Sequence, residues 1–256
     1  MTISVDGCRA LITGSNQGIG LGFIKVLLER GAQHVYATAR RPETLDPVAM
    51  LDPERITTLT LDVTRADHRE AAAAAARDIN LLINNAGIPG DEANEERRFL
   101  SASSLDDARL VMETDCFAQA DMCRSFVPIL EANTPAAIIN ILSIGSLFCL
   151  PEYSTYCAAK AAAAMMTKGI RTELAHRNIF VAGVFTAGVD TRMSAKNQKE
   201  KISPVEHAHD VLNAVANGVE DIFAGTDAEG IRDAIKADDK AFERMHSDRF
   251  HSDPMV

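Results

Sequence analysis

The sequence predicts one α/β domain: a doubly wound, Rossmann-type parallel sheet with helices on both faces. Three observations predict it. Strand-length apolar runs alternate with helix-length periodic segments, with no linker and no internal repeat. The first apolar run ends in a glycine-rich turn that opens directly into a helix. The chain has 256 residues, of which 46% are hydrophobic, enough for one sizeable core.

The elements follow in order. Residues 9–13 form the first strand, Gly14-Ser15-Asn16-Gln17-Gly18-Ile19-Gly20 the turn, and 21–30 the first helix, stopped by Gly31. Glycines here permit a tight turn and let backbone N–H groups approach a pyrophosphate at the positive end of the helix. Strands follow at 34–39, 56–61 and 81–83, with an alanine-rich helix over 67–79. Residues 89–99 are polar and read as a loop. A long helix is expected over 104–131, with Ser104 as cap and Asp106 and Asp107 in its first turn. A strand at 137–142 leads to a helix over 154–177, and another strand spans 179–185. Ser203-Pro204-Val205-Glu206 reads as a capping box with proline at the first helical position, opening a helix to about 217. A short strand at 219–225 and a helix over 227–245 complete a single catalytic domain, 1–245. The substrate loop is expected at about 187–203, and 246–256 as a flexible tail.

The net charge of −10 argues against nucleic acid or an anionic membrane as partner. No apolar run reaches the ~18 residues of a transmembrane span. The first residues lack a signal-peptide pattern, and a cytoplasmic location is expected. Cys8, Cys116, Cys123, Cys149 and Cys157 are odd in number and match no zinc spacing, so they read as reduced thiols. The seven histidines show no metal spacing either, and no metal site is expected.

The chemistry concentrates between Ser143 and Lys160. Tyr156 and Lys160 stand four apart, one turn above each other on a helix face. A fixed ammonium beside a phenol favours phenolate and lowers its pKa from ~10 toward the working range. Ser143 ends an apolar strand, where a hydroxyl meets the ligand crevice of an open α/β sheet. At the end of the second strand, Ala39 stands where an NAD site carries an acid, and Arg40 follows. A guanidinium suits a 2′-phosphate through charge-assisted bonds, so NADP(H) is expected, with NAD(H) as second choice.

In order, the chain carries Thr13-Gly14-x-x-x-Gly18-Ile19-Gly20, Asp62-Val63, Asn84-Asn85-Ala86-Gly87, Ser143 and Tyr156-x-x-x-Lys160. This order resembles the short-chain dehydrogenase/reductase family, its small carbonyl-reductase-type members most, over residues 8–191. The resemblance implies roles residue by residue. Gly14, Ser15, Asn16, Gly18, Ile19 and Gly20 would cradle the phosphates and adenosine ribose. Arg40 would meet the 2′-phosphate, Asp62 the adenine amino group, and Val63 would offer its backbone there. Asn85, Ala86 and Gly87 would pass behind the cofactor riboses. Lys160 would bind the nicotinamide ribose and tune Tyr156, the proton donor, while Ser143 orients the carbonyl oxygen. Val189 and Thr191 would hold the carboxamide side.

Two departures stand out. The family has an asparagine where this chain has Asp115. It acts through its backbone carbonyl, so either the aspartate side chain points away or its charge reaches Lys160. The family's Pro-Gly after the sixth strand is Ala187-Gly188 here, which leaves the loop without proline's fixed φ. The implied activity is NADP(H)-dependent interconversion of a carbonyl compound and its alcohol, chiefly as a reductase. The alternatives are an NAD-dependent alcohol dehydrogenase and a catalytically silent dinucleotide-binding sensor or scaffold. Phe148, Leu150, Tyr153 and Met193 suggest an apolar or aromatic substrate. Lys196, Lys199 and Lys201 either meet an acidic substrate or form a solvated charge run. The Ala/Met-rich helix from Ser154 packs either on the sheet or, as the family resemblance implies, in a homodimer or homotetramer contact.

Overall fold

The computed structural model describes residues 3–91, 97–195 and 198–252. Lys196, part of the loop at 89–99 and the last four residues lie outside the described residues. Seven strands form one parallel sheet in the order β3-β2-β1-β4-β5-β6-β7. They are β1 (Arg9–Ile12), β2 (His34–Ala39), β3 (Ile56–Thr60), β4 (Leu81–Asn84), β5 (Ala136–Ser143), β6 (Ile179–Thr186) and β7 (Asp221–Ala224). The chain winds outward from β1 to β3, then returns to place β4 on the other side of β1. That reversal opens a crevice at the C-terminal ends of β1 and β4.

The central strands β4, β5 and β6 are buried on both faces, which is why they read as continuous apolar runs, while the edge strands β3 and β7 are partly exposed. Alternate residues serve opposite cores. Ile12 and Ile83 pack beneath α1 (Gly18–Glu29), and Leu11 and Leu82 face the other helix layer. The first helix of that layer is α3 (Ala66–Ala75), preceded in the chain by the one-turn α2 (Asp46–Ala49). The long expected helix is three pieces: α4 (Asp106–Met112), a π-helical turn (Glu113–Phe117) and α5 (Ala118–Ala132). Met122 and Phe126 of α5 fill the second core, and full burial of such side chains contributes ~1.5–3 kcal/mol each. The helix α6 (Ser154–Leu174) uses its small residues on the sheet. Ala159 and Ala163 are fully buried, which favours packing within the chain as the account of those alanines.

On the first face α7 (Pro204–Ala216) joins α1, and the Ser203 hydroxyl accepts from the Glu206 N–H at 3.1 Å as the cap predicts. The expected terminal helix is two, α8 (Ala228–Ala237) and α9 (Asp239–Ser252). Residues 246–252, expected to be frayed, are the end of α9. His246 stacks on Phe148 at 5.0 Å between ring centroids, and Phe242 meets the same ring edge-on at 5.0 Å. This aromatic contact links residues nearly a hundred positions apart, which local sequence does not display.

Candidate active site

A cavity of about 760 Å³ occupies the crevice and runs from the glycine turn to Tyr156. Of the sequence-predicted residues, Gly14, Asn16, Gly18, Ile19, Arg40, Asp62, Val63, Asn85, Ala86, Gly87, Asp115, Ser143, Tyr156, Lys160, Val189 and Thr191 all line it. Ser15 and Gly20 do not. Gln17, which the sequence reading passed over, does.

At one end the site is framed by backbone. Gly14 and Gly18 have φ of +63° and +55°, the left-handed region that glycine enters without strain. Ser15 is fully buried and faces β2 rather than the cavity. Its hydroxyl accepts from the Thr38 N–H at 2.8 Å, and its own N–H donates to the Thr38 carbonyl at 2.9 Å. The Thr13 hydroxyl accepts from the N–H groups of Asn85 and Ala86, both at 2.9 Å. Asn85 Nδ2 donates back to the carbonyls of Thr13 at 2.9 Å and Gly14 at 3.0 Å. The turns after β1 and β4 are thereby locked together. In the sequence Thr13 stood at the head of the turn motif with no role assigned, and Thr38 was not singled out. A hydroxyl at the last residue of a strand before a glycine turn is the signal that points to Thr13.

The opening of α1 suits an anion. Gln17 at its N-cap supplies no side-chain cap, and the first turn holds no acidic residue, so the positive helix end is left for a ligand. Arg40 is exposed at the end of β2, near Asp62. Asp62 accepts from the Thr64 N–H and hydroxyl at 3.0 and 2.7 Å. Burial pushes its carboxyl up, but the Thr64 bonds and Arg40 outweigh that and hold it below the usual range. The cavity, the uncapped helix and the basic residue at the far edge fit a dinucleotide.

At the other end the site is framed by buried charge. Lys160 Nζ donates to the Ile141 carbonyl at 3.1 Å and lies 3.1 Å from Asp115 Oδ2. Asp115 is 0% exposed and Lys160 4%, so this is an ion pair out of water. Asp115 Oδ1 accepts from the Ile88 N–H at 2.8 Å, while Oδ2 has no aligned hydrogen-bond donor and is held by the Lys160 charge. The carboxylate presses on Gly87, where a Cβ would stand 2.9 Å from Oδ2. The side chain therefore points inward, toward Lys160, rather than away. The π-helical turn carries it there, since one extra residue per turn re-aims the side chain.

The pair changes the electrostatics of Tyr156. Burial pushes Lys160 toward neutrality, but Asp115 outweighs it and the ammonium is held above its ordinary pKa. Burial raises the Asp115 carboxyl against the pull of Lys160. Tyr156 is raised, not lowered as expected from sequence. Burial leads, Lys160 lowers it, and Asp115 raises it again. Its ring is 5.7 Å from Lys160 Nζ, and Ser143 stands close enough to favour the phenolate in part. The Ser143 Oγ accepts from the Gly145 N–H at 3.1 Å.

Behind the pair, Asn84 Nδ2 donates to Asn140 Oδ1 at 2.9 Å, and Asn140 Nδ2 to the Thr167 hydroxyl at 3.0 Å. This buried chain ties β4 and β5 to α6. In front, Arg97 contributes its carbonyl to the start of α6, accepting from Thr155 N–H at 3.1 Å and the Ser154 hydroxyl at 3.2 Å. Its guanidinium stacks 4.1 Å over the Tyr153 ring, and both line the cavity. Tyr153 and Met193 face the cavity as expected; Phe148 instead packs against α9. Lys201 is tied to the Ser194 carbonyl at 3.1 Å and to Asp190 at 3.4 Å.

The loop after β6 is not loosened by the missing proline. The Ala187 N–H donates to the Ala224 carbonyl at 2.9 Å, a bond proline would forfeit. Val189 bridges Ile202, and Thr191 caps the short turn Arg192–Ser194. The Thr191 side chain lies 3.4 Å from where a Cβ on Gly18 would stand, so the loop closes over the glycine turn.

Fold, glycine turn and Ser-Tyr-Lys cluster together define a dinucleotide-binding oxidoreductase. Comparison with known proteins narrows this: the family described as short chain dehydrogenase matches residues 9–202, and the chain belongs to it. An oxidoreductase of Bacillus subtilis, DltE, is 30% identical over 93% of this chain and 96% of its own. The L-xylulose reductase of Mesocricetus auratus is 30% identical over 77% of this chain and 78% of its own. Among solved structures, a short chain dehydrogenase from Burkholderia cenocepacia in complex with NADP superposes with a TM-score of 0.87. It is 37% identical, covering 95% of this chain and 99% of that one. An NADPH-bound carbonyl reductase from chicken fatty liver gives 0.74 at 28% identity, over 83% and 92% of the two chains.

Proposed function

We propose that this chain is an NADP(H)-dependent reductase of a carbonyl compound. One observation carries the reading: a single cavity holds Arg40 at one end and Ser143, Tyr156 and Lys160 at the other. The glycine turn and the start of α1 receive the pyrophosphate, and Arg40 the 2′-phosphate. Asp62 and Val63 meet the adenine, and Asn85, Ala86 and Gly87 back the riboses. Val189 and Thr191 face the nicotinamide. The bound nicotinamide supplies the hydride. The NADP and NADPH complexes of the two similar structures support the cofactor, and the reductases among the relatives support the direction.

Tyr156 would give its proton to the carbonyl oxygen of the substrate. Its raised pKa keeps that proton present through neutral pH. The Ser143 hydroxyl donates to the same oxygen and stabilises the charge that develops there. Lys160, pinned by Asp115 and Ile141, holds the cofactor ribose and steadies the phenol. Tyr153, Met193 and Leu110 form an apolar wall, which favours an apolar or aromatic substrate. No helix among the described residues is long and apolar enough to cross a membrane, and a cytoplasmic location agrees with the free cysteines. Exposed Phe117 and Met165, at the end of the π-turn and on α6, would be covered by a second copy of the chain.

A carbonyl panel with NADPH and NADH tests the proposal. The expected result is reduction with a clear NADPH preference in kcat/KM. An NADH preference would overturn the assignment of Arg40. NADPH binding without turnover of any carbonyl would favour a silent sensor.

A further inference from the structure

We propose that Phe242, His246 and Phe250 of α9 are specificity-determining residues: from outside they brace the stretch of cavity wall made by Arg97 and Tyr153, and so set which carbonyl substrates the site accepts. The three stand four residues apart, which places them on one face of the helix. They are half-buried, and every other residue of α9 is exposed. A helix that packs onto a core buries a broad apolar stripe. This one is held along a single line of rings, and the line runs behind the substrate end of the cavity.

The rings meet the rest of the chain at two places. Phe148, Phe242 and His246 pack as a closed triangle. Centroids are 5.0 Å apart for Phe148 and Phe242, 5.0 Å for Phe148 and His246, and 4.8 Å for Phe242 and His246. The first pair is edge-on and the second stacked, both favourable aromatic geometries. Burial, then Arg249 and Lys199, hold the His246 pKa below its ordinary value against Glu152, so the ring stacks uncharged at neutral pH. Two turns further along the helix face, the Phe250 ring lies 5.0 Å from the Arg98 guanidinium, within reach of a cation–π contact.

Both places lie one short step from the wall. Phe148 sits in the segment that leads to Tyr153, and it also packs against Ile144, Ala187 and Ala228. Arg98 follows Arg97 directly. Arg97 and Tyr153 line the cavity, with the guanidinium stacked 4.1 Å over the ring. α9 therefore pins both halves of one stacked pair: Tyr153 through Phe148, and Arg97 through Arg98. Loosening either contact lets the pair part and the wall recede. A substrate that reaches the wall then loses contact there, while proton transfer at Tyr156 is left as it was. The effect on substrate rests on the reductase reading; the bracing of the wall does not.

The test uses full-length Phe242→Ala, His246→Ala and Phe250→Ala. Amide hydrogen exchange without substrate, followed by mass spectrometry, reads the brace. Phe242→Ala and His246→Ala should speed exchange at 147–153, Phe250→Ala should speed it at 97–100, and none should alter the glycine turn. Steady-state kinetics on a panel of small and bulky aromatic carbonyls read specificity. Phe242→Ala and His246→Ala should raise KM roughly two- to tenfold, the worth of one aromatic pair, with kcat and the NADPH dissociation constant unchanged. His246→Phe keeps a stacking ring and should restore the wild-type values. Unaltered exchange at 147–153 in both alanine variants overturns the brace. Faster exchange with KM unchanged across the panel, or with kcat and NADPH affinity falling alongside it, overturns the specificity assignment. A protein that reduces no carbonyl sinks the reductase reading, and the exchange result still decides the brace.

Discussion

The two ends of the cavity are built from different materials. Around the glycine turn, neutral backbone groups do the holding: Thr13, Ser15, Thr38 and Asn85 exchange short hydrogen bonds with main-chain atoms. Around Tyr156, a buried carboxylate and ammonium do it. The difference teaches where each end is fragile. A backbone frame needs no particular pH and tolerates salt, whereas a buried pair is sensitive to the loss of either charge, and losing one partner costs ~3–5 kcal/mol.

The largest expected effect sharpens this contrast at its chemical centre. Tyr156→Phe removes the proton donor and keeps the ring. Carbonyl reduction should fall by ~10²–10⁴-fold, the usual contribution of general acid catalysis. NADPH affinity, measured by fluorescence titration, should change little. A parallel collapse of cofactor binding would mean that the two ends are not separable.

Arg40→Ala addresses the far end. It should reduce kcat/KM for NADPH by ~10–10²-fold, in line with loss of a charge-assisted bond of ~1.5–3 kcal/mol, and leave NADH nearly unchanged. The loss should shrink with added salt, because Arg40 is exposed. Equal losses with both coenzymes would place the effect in the frame rather than in the phosphate contact.

Ala187→Pro tests whether the loop over the glycine turn depends on its backbone bond. It removes the donor to Ala224 and should lower unfolding stability by ~1–3 kcal/mol, the cost of leaving a buried carbonyl unpaired. Thermal and urea unfolding would show it. An unchanged or raised midpoint would mean that proline's fixed φ suits the position and offsets the lost bond.

What the sequence disclosed follows the same division. The strand positions, the glycine turn and the Ser143–Tyr156–Lys160 cluster were legible because each is a local pattern with fixed spacing. Asp115 was legible as a departure but not in its consequence. Whether a carboxylate at that position points inward depends on an extra residue in the helical turn, and a 3.6-residue periodicity does not show where one is inserted. Ser15 was legible as part of the turn, yet its hydroxyl belongs to β2, a partner twenty-three residues away. The inward-facing wall at Tyr153 and the outward turn of Phe148 were decided by Arg97 and α9, both distant in sequence.

The smallest expected effect on carbonyl reduction at neutral pH discriminates most finely, because Asp115→Asn keeps shape and removes charge. Asp115 raises the pKa of Tyr156 and of Lys160. Without its charge the phenol should ionise at lower pH, since Lys160 acts on it with less opposition. Reduction needs the protonated phenol and is lost as pH rises through that pKa; oxidation of the alcohol needs the phenolate and appears through the same pKa. Both limbs should therefore move to lower pH. At neutral pH alcohol oxidation should gain, tenfold at most for each ~1 unit of displacement, while reduction stays level until the alkaline range. Profiles of kcat/KM in both directions would measure this. Superimposable profiles would mean that burial, which raises the Asp115 carboxyl, keeps it protonated in the native protein. The catalytic end would then be framed, like the glycine turn, by neutral groups.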